Sequence, residues 1–200
     1  MSYLFEVSWQ VCNKFGGVST VICSKAYEAI KEYGQKYFLF GPLLDENQDF
    51  IECKNDEYAE VRNVLNDISL HYKLGKLNIE GEKPLVILVD YKNRYEVNKL
   101  LYSYWKDFGI DSYGCQWDFI EPALFGTAVG EAIVALYKKL VTPKQDNAIL
   151  HCHEWRAATT LLYVKKYLSE IGTVFTPHST TLGRVLANKT NDLINEIDNI

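Results

Sequence analysis

The chain has 200 residues, the size of one large domain, and a chain of this length can bury most of its apolar surface in a single core. Its formal net charge of −5 argues against a protein that binds duplex nucleic acid, because such a protein needs a basic face against the phosphates. The five cysteines are scattered without a CxxC motif, which favours free thiols in a reducing cytoplasm.

The N-terminal residues contain neither a basic region nor a long apolar stretch, so they do not have the pattern of a signal peptide. Apolar runs such as residues 85–89 and 148–150 are far too short to cross a bilayer. We therefore expect a cytoplasmic protein without a membrane partner. The 14 tyrosines are typical of core and half-buried packing, and a role in lining a sugar site is the alternative.

The first part of the chain predicts a strand, a helix and a strand in turn. Residues 4–9 predict the first strand, and the loop after it ends in Lys14-Phe15-Gly16-Gly17. Residues 18–33 predict a helix, because apolar residues recur at helical spacing. Gly34 is a natural helix stop, and residues 36–40 predict the second strand.

The later elements continue this alternation. Helices are predicted over residues 56–71, 93–107, 119–140 and 155–169, and strands over residues 85–89, 148–152 and 172–176. Such alternation indicates βαβ units, so the expected fold class is α/β: a Rossmann-like, mostly parallel sheet with helices on both faces. Gly126 and Gly130 lie one turn apart in the third of these helices and predict a face for close packing. Residues 188–200 form a polar stretch that favours a helix.

The segment Lys14-Phe15-Gly16-Gly17 follows a strand and precedes a helix, which is where open α/β sheets bind ligands. Two glycines let a backbone approach a ligand closely, and the helix N-terminus with a lysine attracts an anion. The segment is neither a dinucleotide fingerprint nor a Walker loop. A plain turn with a solvated lysine remains the alternative.

The segment His151-Cys152-His153-Glu154-Trp155 ends a predicted buried strand. In a strand, positions 151 and 153 share one face and position 152 points away, and no second cluster of metal ligands is evident, so we expect no metal. His153, Glu154 and Trp155 are candidates for contact with a sugar. The alternative is a satisfied core histidine with a glutamate that caps the next helix.

The segment from Thr176 to Arg184 follows the last predicted strand and is rich in hydroxyl groups. His178 could bond a substrate hydroxyl there, while Ser179 or Thr180 could instead cap a short helix. A nucleophilic Ser–His–Asp triad is disfavoured, because the sequence has no Gly-x-Ser-x-Gly elbow. Spacing alone does not decide among these alternatives.

Taken together, several fragments resemble, in order and at fitting intervals, the glycogen synthases of the fungal and animal type, glycosyltransferase family 3. The fragments are Leu4-Phe5-Glu6 with Asn13-Lys14-Phe15-Gly16-Gly17-Val18; Ser24-Lys25-Ala26; Leu39-Phe40-Gly41-Pro42-Leu43; Ile79-Glu80-Gly81 with Pro84; His151-Cys152-His153-Glu154-Trp155-Arg156-Ala157; and Phe175-Thr176-Pro177-His178-Ser179-Thr180-Thr181-Leu182-Gly183-Arg184. The resemblance spans residues 4 to about 187.

This resemblance implies the N-terminal Rossmann-like domain of a GT-B glycosyltransferase over residues 1–200. The implied reaction moves glucose from UDP-glucose or ADP-glucose to the 4-hydroxyl end of an α-1,4-glucan with retention, without a cofactor or metal. Lys14 would contact the donor phosphates, where the fungal and animal enzymes carry arginine; lysine keeps the charge but loses the bidentate fork. Gly16 and Gly17 would approach the donor, and His178 would lie beside the donor glucose, with Lys14 and His178 as the catalytic pair.

The family's nucleotide-gripping basic residues and a glutamate near the transferred glucose belong to a second domain that residues 1–200 do not supply. We therefore expect this chain to fold but to be inactive alone, and the full-length enzyme to form a homo-oligomer. Two other interpretations remain open: another GT-B transferase with a different acceptor, and a non-catalytic glucan-binding or interaction module whose tyrosines form a stacking platform.

Overall fold

A seven-stranded sheet forms the centre of the protein in the computed structural model, which describes residues 2–14, 16–54, 57–142 and 145–189. The strands, in chain order, are β1 (Ser2–Ser8), β2 (Tyr37–Pro42), β3 (Phe50–Glu52), β4 (His71–Leu77), β5 (Leu85–Asp90), β6 (Asn147–His153) and β7 (Gly172–Thr176). Their order across the sheet is β3-β4-β5-β2-β1-β6-β7. The five strands from β5 to β7 in this order run parallel, and β4 pairs antiparallel with both β3 and β5.

The helices between these strands are α1 (Val18–Tyr33), α2 (Ala59–Asp67), α3 (Val97–Phe108), α4 (Trp117–Leu140), α5 (Trp155–Tyr167) and α6 (Thr181–Lys189), and a short 3-10 turn spans Gly34–Lys36. Helix α1 packs on one face of the sheet through residues such as Ile22 and Ala26. Helices α2, α4 and α5 bury their apolar residues against the other face. The expected Rossmann-like α/β fold with helices on both faces is therefore confirmed.

Helix α4 is the centre of the larger core. It is the one described helix that is long and apolar enough to span a membrane, and 72% of its most apolar stretch is buried within the protein. Burial of this kind is typical of a core helix in a globular domain. The predicted close-packing face is confirmed, since a Cβ at Gly130 would lie 2.8 Å from Cβ of Tyr163, and one at Gly126 would lie 2.7 Å from the backbone nitrogen of Thr160.

The predicted helix over residues 56–71 is wrong at both ends within the described residues. Helix α2 covers only Ala59–Asp67, and the chain leaves the helix at Ser69, whose φ of +52° lies in the left-handed region. His71 then begins β4, a strand that the sequence pattern did not predict. Its side chains alternate only weakly in burial, because lysines and Gly75 interrupt the apolar positions. The polar stretch over residues 188–200 lies almost entirely outside the described residues.

Candidate functional site

A cavity of about 600 Å³ opens at the carboxyl edge of the sheet. Since β1, β6 and β7 are parallel neighbours, the segments that follow them meet at this edge, where α/β sheets bind ligands. A second cavity of about 400 Å³ lies between α3, α4 and α5 and shares no lining residue with the first. The residues that line the first cavity are Ser8, Trp9, Gln10, Gly17, Val18, Val21, Glu154, Trp155, Arg156, His178, Ser179 and Arg184.

The glycine loop supplies the wall of this cavity next to α1. Gly16 has φ of +90°, which a side chain would strain, and Gly17 has nothing within 4 Å of where a Cβ would lie. The side-chain oxygen of Gln10 accepts a hydrogen bond of 3.0 Å from the backbone N–H of Ser19. Gln10 therefore ties the first turn of α1 to the loop after β1, and Gly17 leaves open space for a ligand beside that helix terminus.

Lys14 lies at the same edge of the sheet but does not line the cavity. Its ammonium forms an ion pair of 2.8 Å with Asp49, and 57% of its side chain is exposed. The hydrogen bond with Asp49 raises the pKa of Lys14. The structure therefore brings Gly17 and His178 to one cavity and leaves Lys14 at its margin, paired with a carboxylate. Its role in phosphate binding stays a prediction.

Glu154 connects the ends of β6 and β7. Its backbone N–H donates to Thr176 O at 3.0 Å, and its carboxylate accepts hydrogen bonds from the backbone N–H groups of His178 (2.6 Å) and Ser179 (3.0 Å). The backbone of Glu154 has φ of +64° and ψ of 162°, a region used almost only by glycine. A conformation of this kind costs on the order of 1–3 kcal/mol and occurs most often at functional sites.

Glu154 and Thr180 differ in whether their side chains bond the helix that follows them. The side chain of Glu154 makes no capping hydrogen bond to α5, because it reaches across to the loop at His178. Thr180 does bond the start of α6, since its hydroxyl accepts a hydrogen bond of 3.0 Å from the N–H of Gly183. The hydroxyl-rich segment therefore both begins a helix and presents His178 to the cavity.

The exposed ring of His178 is hydrogen-bonded to the buried ring of His153. Nε2 of His178 lies 2.8 Å from Nδ1 of His153, and Nε2 of His153 lies 2.6 Å from Oε1 of Glu6. His153 is only 2% exposed, and both its ring nitrogens are engaged, so it is a satisfied core histidine that supports His178 from behind. His153 therefore lies behind the cavity and not among its lining residues, and its contact with a sugar stays a prediction.

Glu6 anchors this buried group of polar side chains. Lys25 Nζ lies 2.8 Å from Oε1 of Glu6, and the hydroxyl of Tyr37 donates to Oε2 at 2.5 Å. Burial raises the pKa of Glu6, but the hydrogen bond from His153 and the charge of Lys25 outweigh it and lower the pKa to about 2. Burial and the charge of Glu6 raise the pKa of Tyr37, which keeps its proton and remains a donor.

His151 completes the group on the other side of Lys25. Its Nδ1 lies 3.3 Å from Lys25 Nζ, and its Nε2 lies 2.8 Å from the hydroxyl of Thr176. Burial, together with the charge of Lys25, lowers the pKa of His151 to about 4, so the ring is neutral at pH 7. The rings of His151 and His153 lie on one face of β6 with centroids 4.0 Å apart, which confirms the predicted alternation along this strand.

Glu6, His151 and His153 have ligand atoms within 4.8 Å of one another and could by composition hold a metal ion. The ammonium of Lys25 lies 2.8 Å from Oε1 of Glu6 and 3.3 Å from Nδ1 of His151. The protein's own cation therefore balances the charge of Glu6. The arrangement favours a structural charge pair over a metal site.

Aromatic and cationic side chains form the open wall of the cavity. Trp155 is 51% exposed, and the guanidinium of Arg156 lies 4.9 Å from the ring centre of Trp9 and 5.1 Å from that of Trp155. Arg184 contributes a second positive charge from α6. A flat indole suits the apolar face of a sugar, and two arginines suit an anionic group.

Sequence reasoning located part of this site and missed the rest. The structure brings Gly17, Glu154, Trp155 and His178 to one cavity, with Gly16 beside it. The buried group around Glu6 was missed, although a carboxylate within an apolar strand is itself a signal, since such residues are rarely buried unless paired. Lys25, Arg156 and Arg184 belonged to the matched fragments, but nothing in their spacing assigned them a role.

The sheet topology and the cavity at its carboxyl edge define a Rossmann-like α/β domain of the kind found in glycosyltransferases. The chain belongs to the glycogen synthase family: the family model described as "Glycogen synthase" matches residues 6–200.

Three curated relatives carry the same description in their names. The liver glycogen [starch] synthase of Rattus norvegicus is 33% identical and covers 98% of this chain. The glycogen [starch] synthases of Neurospora crassa and Dictyostelium discoideum are 32% and 30% identical and each cover 97% of the chain. The chain spans 28% of the length of the first two relatives and 22% of the third.

Proposed function

We propose that this chain forms the N-terminal domain of a glycogen synthase and supplies one wall of its donor site. The reaction transfers glucose, with retention, from UDP-glucose or ADP-glucose to the 4-hydroxyl end of an α-1,4-glucan. One observation carries the proposal: Gly17, Trp155, Arg156 and His178, from three separate segments, line one cavity at the carboxyl edge of a parallel sheet. The name glycogen [starch] synthase, which these relatives share, supplies the reaction class.

The cavity offers separate places for the anionic and sugar parts of a nucleotide sugar. The open space at Gly17 faces the start of α1, whose positive dipole end favours a phosphate. Arg156 and Arg184 add full charges across the cavity. Lys14 would join them by exchanging Asp49 for a phosphate oxygen, a change between two anionic partners that needs only side-chain rotation.

The transferred glucose would lie near His178 and Trp155. Glu154 holds the backbone N–H of His178, so the loop presents its carbonyl oxygen and its ring at a fixed place. A carbonyl oxygen beside the anomeric carbon would stabilise the positive charge that develops in an oxocarbenium-like transition state. We propose that this chemistry needs no metal.

The proposed donor site is tested by titrating the isotopically labelled chain with UDP-glucose and following backbone amide signals by NMR. We expect the signals of Gly17, Glu154, Trp155 and His178 to shift, with little change at the exposed Trp105 on α3. Trp155→Ala should weaken binding, whereas Trp105→Ala is the matched control on the far surface. Shifts confined to α3, or no shift at millimolar donor, would refute the proposed site.

The compartment that fits this chemistry is the cytoplasm. All five cysteines are free, and Cys12, Cys53 and Cys152 are buried as unpaired thiols. Burial raises the pKa of Cys12 to about 12, which keeps that thiol protonated and unreactive. Free thiols of this kind suit a reducing environment.

A further inference from the structure

A continuous line of hydrogen bonds connects the middle of the sheet to the wall of the cavity. It begins at the carboxylate of Glu6 in β1, passes through the ring of His153 in β6, and ends at the ring of His178 after β7. Glu6 is fully buried and His153 is 2% exposed, whereas His178 is exposed and lines the cavity. Of the three side chains, only His178 can reach a ligand.

The direction of this line follows from the donors and acceptors. An ionised carboxylate can only accept hydrogen bonds, so Nε2 of His153 carries a proton and donates a hydrogen bond to Glu6. In a neutral imidazole the other nitrogen, Nδ1, is then an acceptor. The 2.8 Å contact from that atom to His178 requires that Nε2 of His178 carry a proton as well.

The charges of the buried group agree with a neutral His153. Lys25 already neutralises Glu6 at 2.8 Å, Tyr37 is an uncharged donor, and His151 is neutral at pH 7. A second cation would leave an uncompensated positive charge inside the protein, which is costly. The buried group is therefore uncharged overall when His153 is neutral.

The ring of His178 is consequently fixed with one nitrogen left over. No described residue bonds Nδ1 of His178, and in this tautomer that atom is an acceptor. Glu154 holds the backbone of the same residue through its N–H. His178 is thus held through its backbone by one carboxylate and through its ring by another, which acts by way of His153.

We propose that Glu6 and His153 are positioning residues that fix the ring of His178 with its proton on Nε2 and leave Nδ1 to accept a hydrogen bond from a hydroxyl of the donor sugar. The identity of the ligand rests on the proposed function. The line of hydrogen bonds from Glu6 through His153 to His178, called the relay below, does not rest on the proposed function, because it is a property of the chain without ligand.

The relay is tested first by NMR on the chain with ¹⁵N-labelled histidine at pH 7. A hydrogen bond between two imidazole nitrogens transmits a scalar coupling, so we expect an N–N coupling between Nε2 of His178 and Nδ1 of His153. The ring ¹⁵N shifts should identify Nε2 as the protonated nitrogen in both residues. Absence of the coupling in the unmodified chain, or a proton on Nδ1 of His153, would overturn the inference.

Variants distinguish the relay from its surroundings. His151→Gln removes the neighbouring imidazole that does not bond His178, and Tyr37→Phe removes a Glu6 partner outside the line; both should keep the coupling. Glu6→Gln should let His153 change its tautomer. This change should alter the ¹⁵N shifts of His178, which is two hydrogen bonds away from Glu6. If Glu6→Gln folds but leaves those shifts unchanged, Glu6 does not set the tautomer.

The functional consequence is tested in the full-length enzyme that contains this chain. His153→Leu should lower kcat on the order of tenfold to a hundredfold, the range seen when the partners of metal-bound histidines are removed, with a smaller change in KM. Tyr37→Phe should leave kcat near that of the unmodified enzyme. A coupling in the NMR spectrum without any glucosyl transfer would refute the proposed function and keep the relay, whereas transfer unaffected by His153→Leu would refute the positioning role.

Discussion

Lys14 illustrates how a single residue can be predicted by its chemistry and still be found with a different partner. Its side chain is paired with Asp49, so a phosphate has to compete for it. In the full-length enzyme we expect Lys14→Ala to lower kcat/KM by about tenfold or more, the loss expected for one charge-assisted hydrogen bond. Steady-state kinetics with UDP-glucose measure this effect.

Asp49→Asn is the matched control for that measurement. It releases Lys14 from its partner without removing the cation, so we expect donor affinity to be kept or improved. Lys14→Arg should restore most of the activity, because arginine keeps the charge and adds the bidentate fork. An unchanged kcat/KM in Lys14→Ala would remove this residue from the mechanism.

His151 makes the stability of the chain depend on pH. Its pKa is about 4 in the folded chain against 6.5 for an ordinary histidine, so the unfolded chain binds an extra proton between these values. Stability is therefore full above pH 6.5 and is lost as pH falls toward 4. Glu6, with a pKa of about 2 against 4.5, acts in the same direction over pH 4.5 to 2.

Urea unfolding at pH 7, 6, 5 and 4 compares the chain with His151→Gln. We expect the unmodified chain to lose free energy of unfolding more steeply than the variant between pH 6.5 and 4, since glutamine does not titrate. Below pH 4.5 the loss that belongs to Glu6 should remain in both proteins. Equal slopes in the upper range would show that His151 is not held neutral by the fold.

At the scale of elements, the close-packing face predicted at Gly126 and Gly130 is where α4 packs on α5. A methyl group at Gly126 would meet the backbone of α5, which cannot rotate away. We expect Gly126→Ala to destabilise the chain by about 1–3 kcal/mol, the usual cost of overpacking. Gly172→Ala is the control, because a Cβ there meets only ordinary contacts at 3.5 Å or more.

Thermal and urea unfolding of both variants measure the difference. A Gly126→Ala chain as stable as the Gly172→Ala chain would mean that α4 and α5 can separate at no cost. That result would contradict the close packing.

The elements that sequence predicted well are those with an unambiguous apolar period. Helix α1 and strand β7 have the predicted bounds, and the buried run of β5 was recognised because parallel strands are apolar on both faces. Strand β4 was missed, since only three of its seven residues are buried and its antiparallel pairing depends on distant residues. The pairing of β4 with β3 and β5 is a tertiary contact, which local periodicity does not encode.

The site shows the same division between local and distant information. The glycine loop and His178 were recognisable because each belongs to a continuous fragment. The relay from Glu6 through His153 joins residues 147 positions apart in the chain, and the bond from Lys25 to His151 spans 126. Such pairs come together only through the order of strands in the sheet, so no local motif could reveal them.

At the scale of the whole molecule, the residues of this cavity form one wall of a site that is open on the other side. We expect the 200-residue chain alone to give no glucosyl transfer above background from UDP-glucose to glycogen, because the retaining reaction needs further charged groups around the donor. Incorporation of labelled glucose into glycogen measures this. The same assay with the full-length enzyme is the positive control, and turnover by the chain alone would contradict the expectation.

The close contact of α4 with α5 has a consequence for the evolution of the cavity. Trp155 and Arg156 occupy the first turn of α5, and α5 can approach α4 only as far as the two glycines permit. The separation of the two helix axes inside the core therefore helps to set where Trp155 and Arg156 lie on the wall of the cavity. We therefore expect larger residues at positions 126 and 130 to displace α5, and with it these two side chains, without any direct contact with the cavity.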